Sequence, residues 1–474
     1  WSQTSRYYNT LSAKLTKVLS SGEFFEVQLK RIGKLYRTGP SALRDTSATY
    51  ELFPGYYVNE APKGFWPNSL YSIDGRLSFG GAISTARDRS EFTTWTGKFD
   101  YTNQVNFRHQ IKSGFEIIYN SYNMEFGMVN EFLPLGNTWT SFERNPYRIT
   151  GYIQDKIEYE GFITTIGIVP EYINSNGNWY DVSPYSRDFY SANYSPEQED
   201  EFKDEEVEPQ FYLSPRIGVS HPITENSKLY FNYGHYRQMP TSETHYRMQR
   251  SALDQVDYIG NPSLPLARTI SYELGYDHSL YDMYLIRLSA YYKSIDNQQD
   301  WTRYVSLDGK VNYYKLTAKN YEDIRGFEFE VSKRYGQWVT GNLNYEYRVG
   351  TSGYFGVKQY FENPAEQREY LRQNPYQAKP RPRPRFKSYI DFHTPDDFGP
   401  RIVGQRLFGG WSMNFITHWT AGFWTTWNPN NITGIEYNLQ YRDYKNVDLK
   451  LSKVFKLGDT GTSLKFFAEI NNAF

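Results

Sequence analysis

Histidine is the first residue type to test for chemistry, because imidazole is the commonest metal ligand and the usual proton carrier near neutral pH. The chain has seven: His109, His221, His235, His245, His278, His393 and His418. None stands in HExxH or any comparable ligand spacing. His235 and His245 flank one loop and are the single pair to weigh as metal ligands. Asp296, Asp300 and Asp308 surround Trp301, a grouping that suggests carbohydrate chemistry. A glycosidase needs two carboxyl groups opposed across a bond; substrate contact or a solvated surface is the simpler reading of carboxylates in an aromatic loop. There is no Gly-x-Ser-x-Gly elbow and no phosphate loop. Cysteine is absent, which excludes disulfides, thiolate metal sites and cysteine nucleophiles. No catalytic constellation, metal site or cofactor site follows from these residues, and the chain does not read as an enzyme.

Two charged stretches remain. The run Glu197-Gln198-Glu199-Asp200-Glu201-Phe202-Lys203-Asp204-Glu205-Glu206 reads first as a solvated loop and second as a calcium or cationic-ligand site, without the spacing of a calcium loop. Lys379-Pro380-Arg381-Pro382-Arg383-Pro384-Arg385 alternates proline with base, an extended arm whose side chains fan outward. It is either a stiff loop root or a contact for the phosphates of lipopolysaccharide, which arginine pairs bidentately. Loop aromatics Trp179, Tyr180, Trp301, Trp424 and Trp427 are candidates to stack on a sugar or peptide ligand, or to sit at a membrane boundary.

The elements that must carry these residues have a period of two. In the stretch 211–236, Phe211, Leu213, Ile217 and Val219 share one side, and Ser214, Arg216, Gly218 and Ser220 the other. After a polar turn at 224–227 the alternation resumes, as in a β-hairpin. Ile270, Tyr272, Leu274 and Tyr276 oppose Ser271, Glu273, Gly275 and Asp277; Phe327, Phe329 and Val331 oppose Glu328, Glu330 and Ser332. Leu343, Tyr345 and Tyr347 oppose Asn342, Asn344, Glu346 and Arg348. The pattern predicts sixteen strands: 7–19, 23–34, 91–103, 107–120, 147–159, 162–173, two in 211–236, 269–280, 283–297, 324–334, 338–349, 386–394, 410–421, 444–455 and 463–474. Leu70–Ile83 reads as a hairpin inside a long loop.

Connections alternate between short turns and loops that mostly run to tens of residues, as in outer-membrane barrels with tight periplasmic turns and long extracellular loops. The composition agrees: 45 Tyr, 31 Phe and 11 Trp accompany a mean hydropathy of −0.72. No stretch is apolar for the 18 or so residues a helical span requires. A net charge of −1 argues against nucleic acid as a partner. A basic side chain facing lipid near the midplane costs roughly 2–4 kcal/mol, whereas the lumen tolerates charge. The segregated charges Arg216, Glu273, Glu328, Glu330 and Arg348 are therefore expected to line a wet lumen. The expected fold class is all-β: a transmembrane antiparallel β-barrel with long extracellular loops.

Several segments resemble the barrel of TonB-dependent outer-membrane receptors, particularly the Bacteroidetes-type group with a carboxypeptidase-regulatory-like N-terminal domain. They are Gly151–Tyr159, Tyr212–Ser220, Gly260–Leu264 with Ser271–Tyr276, Arg325–Phe329, and Phe467-Ala468-Glu469-Ile470-Asn471-Asn472-Ala473-Phe474, together spanning roughly 150–474. After Asn261-Pro262 the family's Lys-Pro-Glu-like step is replaced by Pro265-Leu266-Ala267-Arg268. The resemblance implies a 22-strand barrel, so residues 1–474 are read as one barrel domain incomplete at both ends, without its plug or last strands. It implies location in the outer membrane of a Gram-negative bacterium, contact with its lipid and lipopolysaccharide, and energy-coupled uptake of an unidentified scarce nutrient. Coupling to the TonB complex would run through an N-terminal region absent from this sequence. On this reading Arg216, Glu273, Glu328, Glu330 and Arg348 contact plug or substrate. The alternative is an adhesin or secretion-associated scaffold using the same barrel without uptake.

Overall fold

In a computed structural model, residues 2–40, 86–128, 138–192, 204–251, 253–373, 381–402, 405–430, 434–457 and 462–473 are described throughout, with a few short pieces between them. Among the described residues, sixteen long strands follow one another as an antiparallel meander. They are β1 (Ser2–Ser20), β2 (Glu23–Pro40), β3 (Glu91–Gln104), β4 (His109–Met128), β5 (Tyr147–Tyr159), β6 (Phe162–Asn174), β7 (Gln210–Thr224) and β8 (Ser227–Gln238). Then come β9 (Ala267–Leu280), β10 (Tyr284–Val305), β11 (Asn312–Lys333), β12 (Val339–Tyr354), β13 (Arg385–His393), β14 (Trp411–Thr420), β15 (Tyr444–Leu457) and β16 (Thr462–Ile470). Each pairs with the next in sequence, which is why hairpins suffice to build the sheet.

The period of two becomes two faces. Register couples Ile217 to Tyr233, Tyr233 to Tyr272 and Tyr272 to Tyr292, so the apolar file continues from strand to strand. Among the described residues no second protein layer covers it: Leu274 is 50% exposed, and Tyr272, Leu288, Phe327 and Phe329 are exposed with it. The polar file is the crowded one, with Glu346 only 5% exposed. A curved sheet splays side chains on its convex face and crowds them on its concave face. The apolar residues are thus convex and the charged residues line the bore, as a membrane barrel requires.

The structure changes three expectations. The region 298–323, read as a connection, is strand: β10 and β11 run on past bulges near Gln298 and form a hairpin extension turning at 306–311. β4 likewise extends to Met128, and β16 is strand as far as Ile470, with Asn472 beyond it at a left-handed φ of 55°. At the short-turn end one connection, residues 394–410, is much longer than its neighbours. The hairpin expected at Leu70–Ile83 is described only as Ser72–Ile73 paired with Leu77–Ser78; the rest lies outside the described residues.

Six short strands join the main sheet: Ala86–Asp88, Thr138–Arg144, Met248–Ser251, Val256–Ile259, Gln359–Phe361 and Gln377–Ala378. They belong to loops and add no staves to the wall. Four of them matter for the site. The end of β4 pairs with Thr138–Arg144, which pairs with Met248–Ser251, then Val256–Ile259, then β11. Gln359–Phe361 pairs with β10 on the far side. These strands extend the main sheet and tie together loops from distant staves at the long-loop end.

The two faces should respond oppositely to charge. In a bilayer folding titration, Leu274→Arg is expected to lose about 2–4 kcal/mol if its level is near the midplane. Ser289→Lys, which points into the bore opposite Glu328, should leave stability unchanged or raise it.

Candidate functional site

The bore is organised in register rows. One row runs Gly218, Asn232, Glu273, Tyr291, Gly326, Arg348. The next row toward the short turns runs Ser220, Tyr230, Gly275, Ser289, Glu328, Glu346, Arg385. A third runs Lys228, Asp277, Arg287, Glu330, Asn344, Lys387. In this third row opposite charges alternate: Lys228 lies 3.3 Å from Asp277, and Arg287 3.9 Å from Asp277 and 3.6 Å from Glu330. Such cross-strand pairs each contribute modestly, roughly 0.2–1 kcal/mol.

The middle row breaks that rule. Glu328 and Glu346 stand directly opposite each other, an arrangement that destabilises a ladder. Glu346 is compensated twice, by an ion pair with Arg385 and by the Tyr291 hydroxyl donating to Oε1 at 3.1 Å. Among the described residues Glu328 has no such partner. Arg348 lies 3.9 Å from Glu322, a loose pairing. Among the described residues Arg216 has no carboxylate partner; its guanidinium lies 4.8 Å above the Tyr236 ring. Arg216 and Glu273 line one recess of about 390 Å³ with Asn232, Gly218, Gly234 and Ser271. The five expected bore residues are thus on one face, with Arg216 and Glu328 carrying uncompensated charge, whereas Glu330 is committed to Arg287.

A repeated device positions the carboxylates. Tyr152, Tyr230 and Tyr291 stand directly opposite Gly114, Gly275 and Gly326 on the next strand. Each ring lies over its glycine: a Cβ added at Gly275 would come within 2.1 Å of the Tyr230 ring. Each hydroxyl then donates to a carboxylate: Tyr152 to Asp100 (2.7 Å), Tyr230 to Glu273 (3.2 Å), Tyr291 to Glu346 (3.1 Å). The glycines were visible in sequence only as gaps in the polar file. Arg385 was visible only as the end of the Pro-Arg arm. Register is what joins them to the row.

Above the bore, the most completely buried aromatic side chains among the described residues sit in the loops. Trp179, Phe189, Tyr190, Val207, Val256, Ile259, Val311 and Tyr313 form one core, drawn from the loops 175–209 and 239–266 and the β10–β11 extension. Tyr190 and Tyr313 stack 3.9 Å apart at 9°. Trp179, expected as a ligand contact, is 7% exposed and donates its indole N–H to the Gly260 carbonyl at 3.1 Å. Its role is to hold two loops together, and Tyr180 packs edge-on beside it. The wall cannot form such a core because its side chains meet lipid or the bore.

Trp301 keeps a partly open position, edge-on to Tyr258 at 5.0 Å; Tyr258 stacks on Tyr314, and Arg247 lies over Tyr258 at 4.6 Å. The nearby aspartates are occupied. Asp296 accepts from Arg268, Asp300 from Lys358 (2.8 Å) and Asn320 (3.0 Å), and Asp308 from Arg187 (3.0 Å). The Ser306 hydroxyl at Asp308 holds its carboxyl down at about 2, with Arg187 contributing. The arrangement is a set of struts rather than an acid–base pair.

The Pro-Arg arm does not fan outward over its described part, 381–385. Arg381 covers Trp424 at 4.4 Å, Arg383 donates to the Ala421 carbonyl at 3.0 Å, and Arg385 turns into the bore. It roots one loop on the next, since neighbouring rings and carbonyls lie within reach of its guanidinium groups; Lys379 and Pro380 lie outside the described residues. Trp427 is 66% exposed, and Asn438 bonds both its N–H and its carbonyl. Of the acidic run, residues 197–201 and 203 lie outside the described residues; Asp204–Glu206 pairs as strand with Asn178–Tyr180. The two histidines weighed as a pair have separate neighbours. His235 accepts or donates to the Tyr233 hydroxyl at 2.6 Å, while buried His245 faces Ser175 at 3.4 Å. Among the described residues no group of three His, Cys, Asp or Glu could hold a metal ion.

A family model described as TonB dependent receptor-like, beta-barrel, matches residues 4–473. Among solved structures the fold is similar to a double mutant of the Serratia marcescens hemophore receptor HasR in complex with its hemophore HasA and heme. That match has 12% identity and a TM-score of 0.56, covering 99% of this chain and 66% of that one. The FrpB iron transporter of Neisseria meningitidis matches at 12% identity and TM-score 0.56, covering 99% and 59%. The ferric yersiniabactin uptake receptor FyuA of Yersinia pestis matches at 9% and 0.53, covering 99% and 56%. At these identities the likeness is one of fold. The chain spans between half and two thirds of the length of the first structures it matches. No protein with a curated description matches it in sequence.

Two outcomes follow from the geometry. Gly275→Ala should destabilise the barrel by about 1–3 kcal/mol through overpacking, and combining it with Tyr230→Ala should cost less than the sum, a coupling that a double-mutant cycle in urea reads. Burial lowers the His245 pKa to about 4, against about 6.5 unfolded. The unfolded loop then binds the extra proton first, so cap stability is full above about pH 6.5 and falls as pH drops toward 4, by on the order of 3 kcal/mol. Protection factors of amides at 239–266, which divide out the intrinsic pH dependence of exchange, should fall over that window in the native protein and not in His245→Gln.

Proposed function

Because this chain belongs to the TonB-dependent receptor family, as the β-barrel of an outer-membrane protein of Gram-negative bacteria, we propose that it forms the wall and outer vestibule of an energy-coupled uptake receptor for a scarce nutrient. The observation that carries this reading is the pairing of a packed aromatic cap with a bore holding uncompensated charges. A preformed cap binds ligand at low ordering cost. Trp301 and Trp427 present aromatic surface from braced positions, one toward its aromatic neighbours and one to solvent. Below them Arg216 and Glu328 offer opposite charges to whatever occupies the bore.

That occupant is a plug, and the uncompensated Glu328 beside Glu346 is the wall's seat for a basic side chain on it. Arg216 and Glu273, in their recess, take the plug or the passing ligand. Movement of the plug, driven through TonB, would open the path. Outer-membrane lipid covers the apolar file.

Growth of a strain lacking this protein, on defined limiting nutrients, identifies the ligand and tests the proposal. Complementation by the native gene should restore growth on one nutrient, and a protonophore should abolish accumulation while leaving surface binding intact. Trp301→Ala should weaken binding about tenfold or more, the cost of losing one hot-spot aromatic. Glu328→Lys should preserve binding but stop accumulation. Normal growth of the deletion strain on every nutrient, with loss of surface attachment, would favour an adhesive barrel.

A further inference from the structure

At the short-turn end, connections between described strands take two to five residues, except that between β13 and β14. There residues 394–402 and 405–410 form an excursion. Arg401–Ile402 pairs with Gln405–Arg406, and Gly399 and Gly410 adopt φ of 83° and 68°, a region that suits glycine. The Gly410 N–H donates to the carbonyls of Thr394 and Pro395, and the Trp411 N–H to the Thr394 hydroxyl at 3.0 Å.

The excursion folds back against the convex face of the wall. Trp411 and Lys453 are register partners on the apolar file, continuous with Met413 and Leu451. The Trp411 indole donates to the Leu407 carbonyl at 2.8 Å. The Lys453 ammonium donates to the carbonyls of Arg406 (2.8 Å) and Gly409, and the residue is 5% exposed. A lysine on the lipid side is thus roofed and its donors satisfied. Four apolar side chains of the excursion, Phe398, Ile402, Leu407 and Phe408, are exposed, next to exposed Trp338 and Trp411, with Phe398 edge-on to Trp338 at 4.9 Å; Asp396 and Asp397 are exposed at its start. Aromatic rings at the edge of an apolar band are what a membrane–water boundary selects. Arg401 is exposed beside them, and Lys456 pairs with Asp396 at 2.7 Å.

We propose that residues 394–402 and 405–410 form a lipid-seated foot: the excursion rests in the inner leaflet, with Phe398, Ile402, Leu407 and Phe408 at the top of the acyl layer and Arg401 level with glycerophospholipid phosphates. The inference rests on the apolar file facing lipid, and its continuity with that file is what selects lipid over a protein partner. The foot anchors one side of the barrel at a fixed depth, where plain two-residue turns offer no grip.

The absence of cysteine makes the test direct. Single nitroxide labels are placed by Phe408→Cys, Ile402→Cys, Leu274→Cys and Asp282→Cys, in the barrel reconstituted into phosphatidylethanolamine–phosphatidylglycerol vesicles. Collisions with oxygen should exceed those with a water-soluble nickel chelate at 408, 402 and 274, and the order should reverse at 282 on its plain turn. A foot label as accessible to nickel as that at 282, or shielded from both reagents as in a protein contact, overturns the foot while a lipid-exposed 274 leaves the wall intact. Nickel access at 274 would overturn the lipid-facing wall and the foot together.

Discussion

A backbone amide inside a bilayer has no water to bond, so each strand must satisfy its N–H and C=O groups on its neighbours. That requirement sets the register of every hairpin, and register in turn sorts every side chain in the wall. The continuous pairing from β1 to β16 is the consequence. Once the ladder is fixed, one file can only meet lipid and the other only the bore. Neither file can form an ordinary core. The fully buried aromatic residues are accordingly displaced into the loops, where Phe189, Tyr190 and Tyr313 pack as they would in a soluble domain.

The same ladder explains where charge collects. Ion pairs follow register rows because facing side chains on one face are the nearest neighbours a strand has. Lys228, Asp277, Arg287 and Glu330 settle their charges among themselves. Glu328 and Glu346 cannot, since register places them opposite each other. Arg385 and Tyr291 relieve one and leave the other, so among the described residues the wall holds an unpaired charge facing the centre. Retaining an arrangement that the ladder disfavours is reason to look there for function.

The cap and the foot show the two ends solving different problems. At the long-loop end, Met248–Ser251 and Val256–Ile259 extend the sheet inward and bind distant staves into one body. A ligand arriving there meets surfaces already braced by Trp179 and the stacked tyrosines. At the short-turn end there is little to brace, and the 394–410 excursion turns outward to roof Lys453. Order in the loops is therefore directed at the vestibule on one side and at the wall's own edge on the other.

Much of the wall was legible in the sequence because a period of two is local: Tyr272, Glu273, Leu274 and Gly275 declare their faces without reference to any partner. Alternation also separated Arg216, Glu328 and Arg348 from the apolar file, and the family motifs at 212–220 and 325–329 pointed to the same barrel. What alternation cannot carry is which residues meet across strands. The opposition of Glu328 to Glu346, the seating of Tyr230 over Gly275 and the turn of Arg385 into the bore depend on register between segments up to tens of residues apart. The loops were least legible, because their packing has no period. Trp179 and Trp427 look alike as loop tryptophans, yet one is core and the other is open to solvent, a difference set by where the loops 175–209 and 239–266 and the β10–β11 extension meet in space.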